Sequence, residues 1–117
     1  MERRLRLRRA EDFFRLRKNG TNVRNHSILL SYIPNDLDSN RYGFVTSGHI
    51  GNAVVRNRVR RLLREAVRQL HPRLESGYDI VFIARQPLFK QSFTTVKQLV
   101  VDLLMKAGLV VVESVEP

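Results

Sequence analysis

The sequence predicts an α/β (α+β) sandwich, a small sheet with helices packed against it. Two amphipathic stretches and one strand-like run carry that prediction. In the first stretch Val55, Val59, Leu62, Leu63, Ala66, Val67 and Leu70 recur at the three-and-four spacing of a buried helix face. In the second, Phe93, Val96, Leu99, Val100, Leu103, Leu104 and Ala107 do the same. Between them Asp79-Ile-Val-Phe-Ile-Ala84 reads as a strand covered on both faces. Helices that alternate with strands in this way bury their apolar faces as layers around one core.

Taken in order, a short helix is expected from about Ala10 to Lys18. Glu11 and Asp12 suit the positive end of its dipole, and Asn19-Gly20 stops it. Ser27 to Ile33 reads as a strand, and Pro34-Asn-Asp-Leu-Asp-Ser-Asn40 as a turn-rich loop. A second strand covers Arg41 to Ser47, and Gly48 to Gly51 form a flexible approach to the first long helix. That helix covers about Ala53 to Leu70 and stops at His71-Pro72. The last helix spans about Phe93 to Ala107 and is closed by Gly108. The tail Leu109 to Val112 suits a strand and packed coil equally. The basic start Met1 to Arg9 is too short to count as a surface helix. There is no internal repeat or low-complexity linker, and 117 residues with 43% hydrophobic content suit one domain over 1–117.

Charge narrows the function. Lys and Arg total 21 against 11 Asp and Glu, a formal charge of +10 with a pI near 11.2. Six arginines crowd into Arg56–Arg68, and their spacing is helical. Asn57, Arg60, Arg61, Arg64 and Arg68 repeat on the face opposite the apolar stripe, with Arg56 and Arg58 flanking them. Glu65 is the one acid there, so salt bridges within the helix cannot neutralise the row. Guanidinium groups pair bidentately with phosphate oxygens, which makes a polyanion the fitting partner. The rival reading is a merely solvated face. It suits mixed Glu and Lys better than a one-signed row phased against an apolar stripe. On this pattern Arg61 and Arg64 face solvent and Leu62 is a buried helix position.

Other classes of function find little support. The chain has no cysteine, no apolar run near the roughly 20 residues of a membrane span, and no signal-peptide core. It reads as soluble and cytoplasmic, with no membrane partner. His26, His49 and His71 lack metal-ligand spacing. Asp36-x-Asp38 is explained by an Asx turn more simply than by a metal site. Neither a Walker loop nor a Ser–His–Asp pattern is present. No catalytic and no metal-binding residue is assigned to this chain.

Gly51-Asn-Ala-Val-Val-Arg-Asn-Arg-Val-Arg-Arg-Leu-Leu-Arg-Glu65 closely resembles the signature of the bacterial ribonuclease P protein subunit family. Gly43-Phe-Val-Thr-Ser47, Glu11-Asp-Phe13, Asn19-Gly-Thr21 and Gly77-Tyr-Asp-Ile-Val-Phe-Ile-Ala-Arg85 extend the resemblance in order along nearly the whole chain. One departure stands out. Ser47-Gly48-His49 replaces the family's Ser-Lys-Lys, which removes two cations next to the arginine helix.

The resemblance implies a small mixed sheet flanked by helices, with a left-handed β-α-β crossover carrying the arginine helix. General rules alone favour a right-handed crossover, in about 98% of cases. It also implies a protein subunit of an endoribonuclease whose catalytic RNA uses Mg²⁺ to remove the 5′ leader from precursor tRNA. Residues mapping onto the family's RNA-contacting motif are Asn52, Arg56, Asn57, Arg58, Arg60, Arg61, Arg64 and Arg68. Phe13 and Arg17 are expected at the leader, where Arg17 replaces a second aromatic found in many members. Read from the helix alone, Phe13 is equally a core residue. Three rivals are a general RNA-binding or ribosome-associated protein, a nuclease in its own right and a DNA reader. For the nuclease the chain lacks an acidic cluster. For the DNA reader a strand and loop, rather than a helix, precede the arginine helix.

Overall fold

The computed structural model describes residues 2–85 and 88–111. Seven regular elements follow one another: α1 (Ala10–Asn19), β1 (Thr21–Arg24), β2 (Ile28–Pro34), β3 (Arg41–Thr46), α2 (Ala53–Leu70), β4 (Tyr78–Ala84) and α3 (Phe93–Lys106). The strands form one mixed sheet in the order β1-β2-β4-β3. The β1–β2 and β2–β4 pairs are antiparallel, whereas β3 and β4 run parallel from Arg41↔Asp79 to Thr46↔Ala84. With α2 between them, β3 and β4 make the β-α-β crossover that the resemblance implied.

Alternation along the strands divides the interior in two. Ile28, Leu30, Tyr42, Ile80, Phe82 and Ala84 meet α2 and α3 in the main core, where Val59, Leu63, Ala66, Val67, Val96, Val100 and Leu104 close over them. Val81 turns to the other face and forms a smaller cluster with Leu16 and Leu7, joined by half-buried Phe13, Ile33, Val45 and Ile83. α1 packs there. β4 is thus covered on both faces, as its apolar run predicts. Leu63 is fully buried, while Leu62 is only half-buried, because the helix turns it towards the rim of the stripe.

Caps fix the ends. Asn52 Oδ1 accepts from the Val55 amide at 3.0 Å to start α2, and Ser92 Oγ accepts from the Thr95 amide at 3.2 Å to start α3. After α3 the Gly108 amide reaches Met105 O and the Leu109 amide reaches Leu104 O, both at 3.0 Å. Gly20 stops α1 by another route than the one expected. Its φ of −71° is not left-handed. A Cβ there would stand 2.4 Å from Leu16 O and 2.7 Å from Ser31 Oγ, so close packing against β2 requires the glycine.

Two segments depart from the sequence reading, and a third is one that it leaves open. Thr21–Arg24 is a strand, missed because an exposed edge strand with Val23 as its one apolar residue shows no alternation. Arg3–Leu5 is a 3-10 turn, and Arg6 then bridges Tyr42 in parallel at the free edge of β3. In the tail, Val110 bridges Leu74, with the Val111 amide on Arg73 O at 2.8 Å. The described part of the tail is thus packed coil with a single bridge rather than a strand, and Val112 lies outside the described residues.

The turn reading holds from Asn35 to Asn40, while Pro34 ends β2 opposite Tyr78. Asn35 Oδ1 accepts from the Leu37 amide at 2.8 Å, and Asp36 takes a φ of 61° that aspartate tolerates.

Candidate nucleic-acid interface

α2 presents the arginines, and β3 underneath decides how Arg60 and Arg64 stand. Arg58 and Arg61 are exposed, with no carboxylate partner among the described residues. Arg60 is half-buried. Its Nη1 donates to Thr46 Oγ1 at 2.7 Å, and its Nη2 donates to Asn57 Oδ1, which ties two candidate residues together. Arg64 is half-buried rather than fully exposed as the sequence pattern suggests. Its guanidinium lies 5.8 Å from the centre of the Phe44 ring, itself stacked on Phe82. Burial, then the charges of Arg6, Arg60 and Arg61, hold Arg64 below the ordinary arginine pKa. It remains a cation at neutral pH, because arginine starts so high. The Nε atoms of Arg56 and Arg64 are buried without a hydrogen-bond partner.

Arg68 differs from the rest. Glu65 accepts from its Nε at 2.9 Å and its Nη2 at 2.6 Å. Those bonds pull the Glu65 carboxyl down to about 2 and raise Arg68. Glu65 therefore offsets one arginine at the far end of α2 and leaves the central row positive. Asn52 caps α2, so its carbonyl oxygen is already engaged with the helix. Gly51 before it has a φ of 151°, and a Cβ there would strike Val55 Cγ1 at 2.8 Å.

The sheet face under α1 is the second candidate surface. Phe13 and Arg17 lie together there, and with Ala10 and Phe14 they line a shallow apolar hollow. The Phe13 ring rests on Gly43 and is half-buried, so the core reading and the cleft reading describe two sides of one ring. Phe14 is 64% exposed. Beyond α1 the same sheet layer opens into a cleft of about 720 Å³ floored by Leu29, Ile83 and Ala84. Arg24, His26, His49 and Arg85 rim it. His49, in the segment where the family's lysines are missing, contacts Ser47 Oγ and lies 3.4 Å from Arg85 O.

Asp79 holds these surfaces together, and its role was hidden in an otherwise apolar run. It is fully buried. Oδ1 accepts from Arg41 Nε at 2.9 Å and Asn35 Nδ2 at 3.0 Å. Oδ2 accepts from Arg15 Nη2 at 2.7 Å and Arg41 Nη2 at 2.8 Å. Hydrogen bonding to Asp79 raises Arg41 despite its burial. α1, β3 and β4 are thereby pinned to one carboxylate. The signal that could have found it is a lone acid at the head of a buried strand, which demands a cation nearby.

Among the described residues no group of three or more His, Asp or Glu side chains could hold a metal ion, and no helix is long and apolar enough to cross a membrane. That concerns the protein and has no bearing on Mg²⁺ use by an RNA.

A mixed sheet that buries the apolar stripes of two helices and offers a one-signed arginine row defines a basic α+β protein with a face suited to a polyanion. The chain belongs to the ribonuclease P protein family, whose family model, Ribonuclease P, matches residues 1–108. The ribonuclease P protein component of Caldanaerobacter subterraneus subsp. tengcongensis is 44% identical over 103 residues, 88% of this chain and 89% of that relative. That of Roseiflexus castenholzii is 42% identical over 111 residues, covering 94% and 91%. A solved structure of a Staphylococcus aureus RNase P protein mutant with defective mRNA degradation activity superposes with a TM-score of 0.86 at 29% identity, covering 93% of this chain and 92% of that one. The chain is accordingly the protein part of an endoribonuclease that matures tRNA 5′ ends, and its partner is a ribonuclease P RNA.

Proposed function

We propose that the arginine face of α2 docks on the ribonuclease P RNA, while the sheet face beside Phe13 and Arg17 receives the 5′ leader of precursor tRNA. In this reading one domain over 1–117 works in the cytoplasm, and Mg²⁺ is held by the RNA, which cleaves the phosphodiester bond. The protein supplies charge and position. Joining an RNA catalyst to an RNA substrate sets polyanion against polyanion, and a +10 protein at the junction offsets that repulsion by displacing condensed counterions. Contacts of arginine with phosphate fix orientation and carry little sequence information.

The observation that carries the reading is the exposed, uncompensated pair Arg58 and Arg61 on a helix whose one acid is spent on Arg68. Binding of the cognate RNA, measured against salt, tests it. Arg61→Ala should make the slope of log K against log salt shallower by about 0.9, taking the share of one phosphate on a B-form duplex. An unchanged slope in both Arg58→Ala and Arg61→Ala would remove α2 from the interface. For the leader, Phe13→Ala should weaken holoenzyme binding of precursor tRNA and spare mature tRNA, since a base stacked on an aromatic ring is worth about 1–3 kcal/mol. Equal weakening for both, or loss of the fold, would leave Phe13 as core alone.

A further inference from the structure

The arginines of the N-terminal segment stand on a fixed path along the free edge of β3. The Leu7 amide donates to Tyr42 O at 2.8 Å, next to the Arg6–Tyr42 bridge. Leu5 enters the main core on one side of the sheet, and Leu7 enters the smaller cluster on the other. Two leucines straddling the edge pin the segment, so its arginines are held outward in place. Arg3, Arg4, Arg6, Arg8 and Arg9 are all exposed, and with Arg41 and Asp12 they line one hollow.

Acids cover only part of that charge. Glu2 pairs with Arg4 at 2.6 Å, Asp12 with Arg41 at 3.4 Å, and Glu11 with Arg9 at 3.8 Å. Among the described residues no carboxylate pairs with Arg3, Arg6 or Arg8. Arg6 also connects the two basic surfaces, since its charge is one of those acting on Arg64 of α2.

We propose that residues 3–9 are a second RNA-contacting element, which carries the α2 arginine face around the edge of β3 and grips the phosphate backbone of the ribonuclease P RNA. The inference rests on α2 being the docking face for that RNA. Continuity decides the occupant: the Arg6 charge acts on Arg64 of α2, and the one acid lining the N-terminal hollow, Asp12, is already paired with Arg41. The contact is to phosphates and independent of base sequence.

Full-length protein and ribonuclease P RNA, titrated across salt concentrations, provide the test. The triple variant Arg3→Ala, Arg6→Ala, Arg8→Ala gives up three phosphates, so its salt slope should be shallower by about 2.7. Between about 50 and 200 mM salt the parent should then lose about forty-fold more affinity than the variant. Should the alanine variant fail to fold by circular dichroism, the triple Arg→Gln variant, which keeps most of each stem, decides by the same slope. Arg61→Ala is measured alongside. A shallower slope for Arg61→Ala with an unchanged slope for the triple variant overturns the N-terminal element and leaves α2 standing. If neither changes, both readings fall. Unaltered binding of the ribonuclease P RNA with weaker holoenzyme binding of precursor tRNA would also overturn the proposal, because the occupant would then be the substrate.

Discussion

Replacing Asp79 with asparagine should cost the fold about 3–5 kcal/mol, the range for removing one partner of a buried ion pair. The structure supports the size of that loss. The carboxylate accepts four hydrogen bonds, three of them from the guanidinium groups of Arg15 and Arg41. An amide keeps one acceptor oxygen and turns an NH₂ towards donors. With charge-assisted bonds worth about 1.5–3 kcal/mol each, losing two already accounts for the estimate. A domain of this kind is stable by only about 5–15 kcal/mol, so the change is large. Urea unfolding of the full chain measures it, and hydrogen exchange locates it. Amides of α1 should lose protection first, because Arg15 is the α1 side chain that reaches Asp79. Asp12→Asn is the control. Among the described residues Asp12 pairs with Arg41 alone, by one long contact of 3.4 Å, so its loss should cost about 1 kcal/mol, well under that of Asp79. A cost below about 1 kcal/mol for Asp79→Asn, or α1 protection equal to the parent, would refute the idea that this carboxylate pins the helix to the sheet.

Three other outcomes are expected. Gly43→Ala should displace Phe13, since a Cβ would stand 2.8 Å from its Cε1. Leader-dependent binding should fall with this change while the salt slope of RNA docking stays as in the parent. Burial pushes the Tyr42 hydroxyl from its ordinary 10.0 up to about 12. Its stabilising contribution is whole below pH 10, where folded and unfolded chains both hold the proton. It is lost as pH rises to about 12, at about 1.4 kcal/mol per unit. Tyr42→Phe should lack that alkaline slope, which stability curves at stepped pH would show. Leu63→Ala should cost about 2–5 kcal/mol in urea unfolding, and Leu62→Ala about 1–2, because only Leu63 is fully buried.

Most of the architecture was legible because it rests on periodicity. α2 spans Ala53–Leu70 as its stripe requires, and α3 and β4 lie within one residue of expectation. The segments that escaped are those held by single contacts. β1 is an exposed edge strand with one apolar side chain, and residues 3–7 take their course from two leucines and one amide on β3. The candidate site divides in the same way. The arginine row is written in helical spacing. That Arg64 lies on Phe44, that Arg60 reaches Thr46 and that Arg68 is spent on Glu65 depends on what stands beneath or beside each side chain.

Those contacts show which element sets the candidate interface. Five of the six β3 positions touch a candidate contact or the residue that orients one. Arg41 shares Asp79 with α1. Tyr42 takes the Leu7 amide on its backbone, and its hydroxyl meets His71 Nδ1 at 2.7 Å just past the end of α2. Gly43 leaves room for the Phe13 ring, Phe44 supports Arg64 and Thr46 receives Arg60. Alternation sends Gly43 to one sheet face and Phe44 to the other, so neighbouring residues on one strand stand under the proposed leader side and the proposed docking side. A one-residue slip of β3 against β4 would exchange the two faces and misplace both surfaces at once. The parallel register from Arg41↔Asp79 to Thr46↔Ala84 prevents that slip, and the buried ion pair at its first step is the contact a slipped strand could not make. The carboxylate at the head of β4 therefore links folding to the proposed function: it fixes the strand on which both candidate surfaces are aligned.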